Sequence, residues 1–125
     1  APGQGSLAIE ATNSLAQRDP DLHKALSNLD DFFTHVAVDA ERAVLNALEA
    51  GCTAPVGALA TVTPAPSELK AESEVHLQAM TAAVDGSQMI RMSITGNASQ
   101  ADELGRDLAA LLLEAGAADL LGEHE

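Results

Sequence analysis

The feature that most constrains the fold of this chain is an apolar stripe between residues 33 and 48. Its members recur at steps of three and four residues, which places them along one side of an α-helix. They are Phe33, Val36, Ala37, Ala40, Ala43, Val44, Ala47 and Leu48. Such a stripe needs a second apolar surface to cover it. Asp30 and Asp31 predict the start of the helix, and Gly51 predicts its end because glycine readily adopts the left-handed conformation.

Two shorter elements are predicted ahead of this helix. Residues 7–10, with the sequence LAIE, predict a short buried strand. A helix is predicted over about residues 20–29, because Asp19 can cap its first turn and Pro20 suits its first position. Its apolar residues again follow helical spacing and are Leu22, Ala25, Leu26 and Leu29.

After Pro55 the pattern changes from helical spacing to the alternation that is typical of strands. Three strands are predicted, at residues 56–63, 74–84 and 87–95. Asp85-Gly86 joins the last two and is a two-residue signal for a β-hairpin. A polar loop broken by prolines, residues 64–73, connects the first two.

A last helix is predicted towards the end of the sequence. Ser99 and Asp102 approximate a capping box at its start, and Gly116 predicts its end. Its apolar stripe consists of Leu104, Leu108, Leu111, Leu112 and Ala115. The elements together predict an α+β domain in which helices cover one face of a three-stranded antiparallel sheet.

The size and charge of the chain limit the number of domains and the classes of partner that can be expected. Its 125 residues provide enough chain for one hydrophobic core, so a single domain is expected. Nineteen acidic residues against six basic ones give a formal net charge of −13, which argues against nucleic acid and anionic membranes as partners. The sequence shows neither a long apolar run nor a secretion signal, and a single cysteine fits a reducing compartment. A cytoplasmic protein is therefore expected.

Neither the glycines nor the histidines predict a binding site. The segment GQGSLA, residues 3–8, has the spacing of a dinucleotide-binding fingerprint, but that turn must follow a strand and open a helix. Here it precedes a predicted strand. The four histidines, His23, His35, His76 and His124, stand far apart in the sequence, and none has a metal-ligand spacing. We therefore expect surface or half-buried histidines and no metal site.

Cys52 is the remaining candidate. Most lone cysteines are small buried hydrophobic residues. A reactive thiol needs a lowered pKa, commonly from a helix N-terminus, a cationic neighbour or a second cysteine, and the sequence around Cys52 offers none of these. It follows a predicted helix C-terminus, where the helix dipole disfavours a thiolate. A nucleophile used at every turnover is therefore not expected, whereas a thiol used once as an attachment point is allowed.

Four segments of the sequence together resemble one enzyme family. They are PGQGSLAIE (2–10), AERAVLNALEAGCTAPVGALA (40–60), AVDGSQMIR (83–91) and LGRDLAALLLEAGAADLL (104–121). Their order and separations are similar to those of the hydroxymethylbilane synthases, also called porphobilinogen deaminases. Two departures fall beside Cys52, where Ala50 replaces the first of the family's two glycines and Thr53 replaces its glutamine.

The resemblance implies a transferase of tetrapyrrole and haem biosynthesis. Enzymes of the family join four porphobilinogen units head to tail into hydroxymethylbilane and release ammonia. They build the product on a dipyrromethane cofactor that a thioether links to one cysteine, which corresponds to Cys52. Gln4 corresponds to a family glutamine that lies near the pyrrole-binding cleft.

The resemblance also implies that this chain is part of a three-domain enzyme. Residues 20–125 correspond to the third, cofactor-carrying domain, and residues 1–19 to a segment that returns to the first domain. The family's arginine cluster and catalytic aspartate belong to the first two domains, so no catalytic residue is expected in this chain, and the chain alone is expected to be inactive. The alternative is a stand-alone acidic binding or regulatory module in which Cys52 is part of the core.

Overall fold

The computed structural model describes residues 1–48, 55–66 and 69–121. Within these ranges the helices and strands are α1 (Leu15–Arg18), α2 (Pro20–Ser27), α3 (Phe32–Ala47), β1 (Val56–Thr63), β2 (Glu74–Ala82), β3 (Met89–Asn97), α4 (Ala101–Glu114) and α5 (Ala117–Leu121). No helix in the described ranges combines the length and the apolar character that crossing a bilayer requires.

The three strands form an antiparallel sheet in the order β1-β2-β3. Leu77, at the centre of β2, pairs with Ala60 of β1 and Ile94 of β3. Side chains alternate between the two faces of the sheet, and the odd-numbered residues of β2 from Val75 to Thr81 are buried. The three predicted strands are therefore confirmed, with β2 ending two residues earlier than predicted and β3 beginning and ending two residues later.

The hydrophobic core lies between one face of this sheet and the helices α3 and α4. Its largest fully buried apolar side chains are Leu77, Leu108, Leu112, Val44 and Val75. On the opposite face the side chains are more exposed, and Leu59 of β1 retains 59% of its accessible surface. The predicted α+β fold with helices on one face of a three-stranded sheet is confirmed.

The starts of α2 and α3 are confirmed by their caps. The Asp19 carboxylate accepts a hydrogen bond from the backbone N–H of Leu22 at 3.1 Å, and Pro20 occupies the first helical position. The Asp31 carboxylate accepts one from the N–H of Thr34 at 2.9 Å. Each cap satisfies a backbone donor that has no partner inside the first turn of its helix.

From Val36 onward the apolar stripe of α3 faces the core, as predicted, whereas at its start Phe32 takes the place that was predicted for Phe33. Its buried members are Val36, Ala40, Ala43, Val44 and Leu48. At the start of the helix Phe32 packs against the core, while Phe33 meets the Phe32 ring edge-on at 5.5 Å between centroids. Helix α3 ends at Ala47, and the predicted stop at Gly51 lies outside the described residues.

The predicted buried strand at residues 7–10 is wrong. These residues form no regular secondary structure, and the Leu7 and Ile9 side chains are 97% and 59% exposed. A strand needs a neighbour for its backbone hydrogen bonds, and none lies alongside in the part of the chain that the structure describes. Helix α2 also presents apolar residues to solvent, with Leu22 45% exposed.

The turn between β2 and β3 is centred on Asp85-Gly86, as predicted, but it is wider than two residues. The Ala83 N–H donates to the Gln88 carbonyl at 2.9 Å, which leaves four residues in the connection. The Gly86 N–H donates to the Ala83 carbonyl at 2.9 Å, and Gly86 has a φ of +77°. Glycine suits this position because side chains disfavour a positive φ.

The predicted capping box of Ser99 and Asp102 is also wrong. A 3₁₀ turn, Ala98–Gln100, precedes α4, and the N-cap residue of α4 makes no side-chain hydrogen bond. The N–H of Ala98 instead donates to the Ser73 carbonyl at 2.8 Å, and the Ala98 side chain is buried. Strand β3 thus passes into α4 through a turn that is held by the backbone and by packing.

Candidate functional site

The predicted attachment residue, Cys52, lies in the segment 49–54, outside the described residues. The residues that border this segment are held in place. Leu48 is buried, and its N–H continues the hydrogen bonding of α3 at 3.0 Å. On the other side the Pro55 carbonyl accepts a hydrogen bond from the N–H of Ala82, in β2, at 3.1 Å. The chain therefore enters the Cys52 segment from the buried end of α3 and leaves it at a residue that is hydrogen bonded to β2.

Gln4, the second predicted site residue, is exposed in a turn near the start of the chain. It lines a groove of about 420 Å³ together with residues from all three strands, among them Gly57, Met80 and Arg91. Gly57 stands two positions after Pro55. The structure thus places Gln4 beside the beginning of β1, the strand that follows the Cys52 segment, and the role of Gln4 near a pyrrole stays a prediction.

Glu41 connects these two parts of the site, although it was not among the predicted site residues. Its carboxylate is buried, with 8% of the residue exposed. Oε1 accepts a hydrogen bond from the N–H of Gly3 at 2.7 Å, and Oε2 accepts one from the N–H of Ala60 at 2.9 Å. Hydrogen bonds to a charged acceptor are stronger than those between neutral groups. Glu41 therefore joins α3, the turn that contains Gln4, and β1.

A signal for Glu41 was present in the helical pattern. Glu41 follows Ala37 by four residues and precedes Val44 by three, so it stands on the apolar stripe of α3. A carboxylate at such a position is buried and needs hydrogen-bond donors. The sequence does not identify those donors, since Gly3 and Ala60 lie 38 and 19 residues away.

A second and larger groove, of about 750 Å³, lies between residues 5–9 and the helices α2 and α3. His35 lies in it, with Nδ1 3.2 Å from Asp30 Oδ1 and Nε2 3.6 Å from Asp39 Oδ2. The hydrogen bond to Asp30, and then the charge of Asp39, raise the pKa of His35 above its usual value. Because His35 is 58% exposed, this cluster stabilises the fold only slightly.

The pH dependence of this cluster can be tested with the substitution Asp30→Asn. It is expected to lower the pKa of His35, measured by NMR titration, because it removes the largest cause of the shift. A raised pKa stabilises the fold below the unfolded value of about 6.5. Below that pH the variant should therefore have a lower free energy of unfolding than the parent, by less than about 1 kcal/mol. This difference should vanish as the pH rises through the pKa of folded His35.

Asp21→Asn provides the matched control for this measurement, since Asp21 is an exposed residue of α2 and has no part in the cluster. It should leave the pKa of His35 unchanged. An equal shift in both variants would show that general charge, and not the hydrogen bond that His35 donates to Asp30, sets the pKa of His35.

Two of the remaining histidines, His23 and His76, agree with the prediction of surface or half-buried residues. His23 is exposed, and His76 is half-buried with Nδ1 3.1 Å from the Thr95 hydroxyl. His124 lies outside the described residues. Within the described ranges no group of three or more potential ligand residues is placed to hold a metal ion.

The glycine-rich segment 3–8 does not form a dinucleotide-binding turn. Gly3 and Gly5 have φ values of +74° and +95°, and the chain then runs without regular secondary structure to residue 12. The next helix, α1, begins only at Leu15. This segment therefore provides no helix N-terminus that could bind a pyrophosphate.

Comparison with known proteins adds a family match. The sequence model described as "Porphobilinogen deaminase, C-terminal domain" matches residues 35–114. This range includes Cys52, Glu41 and all three strands.

Curated relatives extend the similarity to nearly the whole chain. The porphobilinogen deaminase of Nocardia farcinica is 50% identical over 98% of this chain and 35% of its own length. Porphobilinogen deaminase 1 of Streptomyces avermitilis is 48% identical over 100% of this chain and 38% of its own length. The porphobilinogen deaminase of Mycolicibacterium gilvum is 46% identical over 99% of this chain and 39% of its own length. The chain thus spans a little over a third of the length of these relatives.

Proposed function

The chain belongs to the porphobilinogen deaminase family, and we propose that it forms the C-terminal part of an enzyme that makes hydroxymethylbilane. The enzyme is a transferase of haem biosynthesis that joins four porphobilinogen units head to tail and releases ammonia. The family match over residues 35–114 carries this proposal, and relatives that are 46 to 50% identical over almost the whole chain support it.

We assign the attachment of a dipyrromethane cofactor to Cys52, through a thioether. When bound, the cofactor supplies the two pyrrole rings on which the product grows. The described residues fit a permanent tether, because Leu48 is buried and Pro55 is hydrogen bonded to β2 on either side of the Cys52 segment. A thiol that must stay free until attachment suits the reducing cytoplasm, where we place the enzyme.

This chain holds the cofactor but leaves substrate binding and catalysis to the rest of the enzyme. A chain of six pyrroles gathers on the order of a dozen carboxylates, which need arginine partners. With a net charge of −13, residues 1–125 cannot provide them. We therefore assign the arginine cluster and the catalytic aspartate to the two preceding domains, and no catalytic residue to this chain.

We divide the chain at residue 19. Residues 20–125 form the cofactor-carrying domain, and residues 1–19 return to the first domain. The exposed side chains of Leu7 and Ile9 support this division, because they leave a segment without regular secondary structure free to pair with a sheet outside this chain.

Mass spectrometry of the complete enzyme tests the proposal. The peptide that contains Cys52 is expected to carry the added mass of dipyrromethane, and the enzyme to consume porphobilinogen with release of ammonia. The isolated chain 1–125 should contain an unmodified Cys52 and give no colour with an aldehyde reagent for pyrroles, because assembly of the cofactor needs the other domains.

Three different outcomes would contradict three different parts of the proposal. An active complete enzyme with an unmodified Cys52 would contradict the attachment. A coloured product on the isolated chain would show that residues 1–125 acquire the cofactor without the other domains. A complete enzyme that does not consume porphobilinogen would contradict the activity itself.

A further inference from the structure

The Glu41 carboxylate lies where three segments that are distant in sequence meet. Both of its oxygens are used, one by the N–H of Gly3 and the other by the N–H of Ala60. Burying a carboxylate is unfavourable unless hydrogen bonds offset the loss of water, and Glu41 is 8% exposed. The arrangement is therefore specific, since displacing either backbone donor leaves a buried oxygen without its partner.

We propose that Glu41 is a positioning residue, which holds the turn that contains Gln4 at a fixed place relative to the start of β1. This inference rests on the proposed function, in which Cys52, just before β1, carries the cofactor. Strand β1 is an edge of the sheet, and the N–H of Ala60 points away from β2 to Glu41. Glu41 thus links the strand that follows the cofactor segment to the segment that precedes the domain.

The turn itself is built to receive this contact. Gly3 has a φ of +74°, and a Cβ at this position would lie 3.6 Å from Arg42 Nε and 3.7 Å from Val38 Cγ1. The turn continues with a hydrogen bond from the Ser6 N–H to the Gly3 carbonyl at 3.2 Å. Beyond the turn, residues 5–9 line a groove against α2 and α3, and the Leu7 side chain is almost fully exposed. The contact from Glu41 therefore holds the backbone of the turn directly beside Gln4.

This position matters for turnover because Gln4 and the cofactor segment must stay aligned while pyrrole units are added. Glu41 lies on α3, so the linkage passes from the turn through this helix to β1, whose first residues follow Pro55. Misplacement of reacting groups by about 1 Å, even by a distant substitution, can lower a rate by about a hundredfold. Weakening the link should therefore act on kcat more than on KM.

The substitution Glu41→Gln in the complete enzyme tests this role. Glutamine keeps the shape and one acceptor oxygen but turns an amide N–H₂ towards the second backbone donor. We expect kcat to fall about 10- to 100-fold and KM to change less than about threefold, with the cofactor mass on Cys52 unchanged. Amide hydrogen exchange at Gly3 and Ala60 should become faster, while exchange in the β2–β3 pair stays the same.

Glu103→Gln is the matched control, since Glu103 is an exposed residue in the first turn of α4. It should leave kcat and exchange at Gly3 and Ala60 unchanged. A Glu41→Gln enzyme with the kcat of this control would overturn the inference.

The wild-type enzyme provides a second measurement that does not depend on whether the variant folds. The Gly3 and Ala60 amides should exchange slowly, and unprotected exchange at Gly3 would overturn the inference on its own. Failure of the proposed function can be told apart from failure of this inference. In the first case the wild type and Glu103→Gln would both lack the cofactor mass and the turnover of porphobilinogen.

Discussion

Replacing Cys52 by serine in the complete enzyme is expected to abolish attachment of the cofactor and to lower kcat by more than about a thousandfold. The thiolate is the nucleophile that forms a thioether, and a serine hydroxyl ionises far less readily and replaces it poorly. Without a covalent link the growing chain must be held by binding alone, which forfeits the high effective concentration of a tethered reactant. Intact mass and consumption of porphobilinogen measure both effects.

Thr53→Ala is the matched control for this experiment, because it changes the neighbouring residue and keeps the thiol. It should retain the cofactor mass and most of the activity. A Cys52→Ser enzyme that still carries the added mass would place the attachment elsewhere. If Cys52 were instead only a core residue, the serine variant would lose stability and keep its turnover.

The parts of the fold that the sequence predicts are those that depend on neighbours in the chain. The stripe of α3 and the alternation of β2 are periodic, so they identify the buried face before any tertiary contact is known. Gly116, which has a φ of +106°, ends α4 as predicted because this conformation is a local property of glycine. The caps at Asp19 and Asp31 likewise reach only three residues ahead.

The parts that the sequence does not predict depend on distant segments. Helix α1 has four residues, too few for a periodic pattern, and its Leu15 is buried by tertiary packing. At residues 7–10 the apolar composition is that of a strand, but a strand forms only where a neighbour supplies hydrogen bonds. Composition alone does not indicate whether that neighbour is within the chain.

The residues of the candidate site also divide into those that the local sequence predicts and those that only folding brings together. Cys52 and Gln4 are predicted from motifs, because these motifs are local in sequence. Glu41 stands on the apolar stripe of α3, but its donors at Gly3 and Ala60 are brought to it only by folding. The order of the segments in space, with the Gln4 turn beside the start of β1, likewise requires the structure.

Gly105→Ala is expected to destabilise the chain by about 2–3 kcal/mol, although it replaces glycine inside a helix. In an exposed helix the same change stabilises by about 1 kcal/mol, since alanine loses less conformational entropy. Here α4 passes so close to α3 that a Cβ on Gly105 would collide with Ala43 Cβ and lie 2.6 Å from the Ala40 carbonyl oxygen. A backbone atom cannot move away cheaply, so overpacking outweighs propensity.

Chemical denaturation of the chain, followed by circular dichroism, measures this effect, and two further variants identify its cause. Ala110→Gly, on the exposed side of α4, should cost only the propensity difference of about 1 kcal/mol. Adding Ala43→Gly to Gly105→Ala should recover part of the lost stability, because it removes one of the two collisions and leaves the carbonyl of Ala40. A Gly105→Ala chain that is more stable than its parent would show that α3 and α4 can separate without loss, contrary to a close contact of the two helices at Gly105.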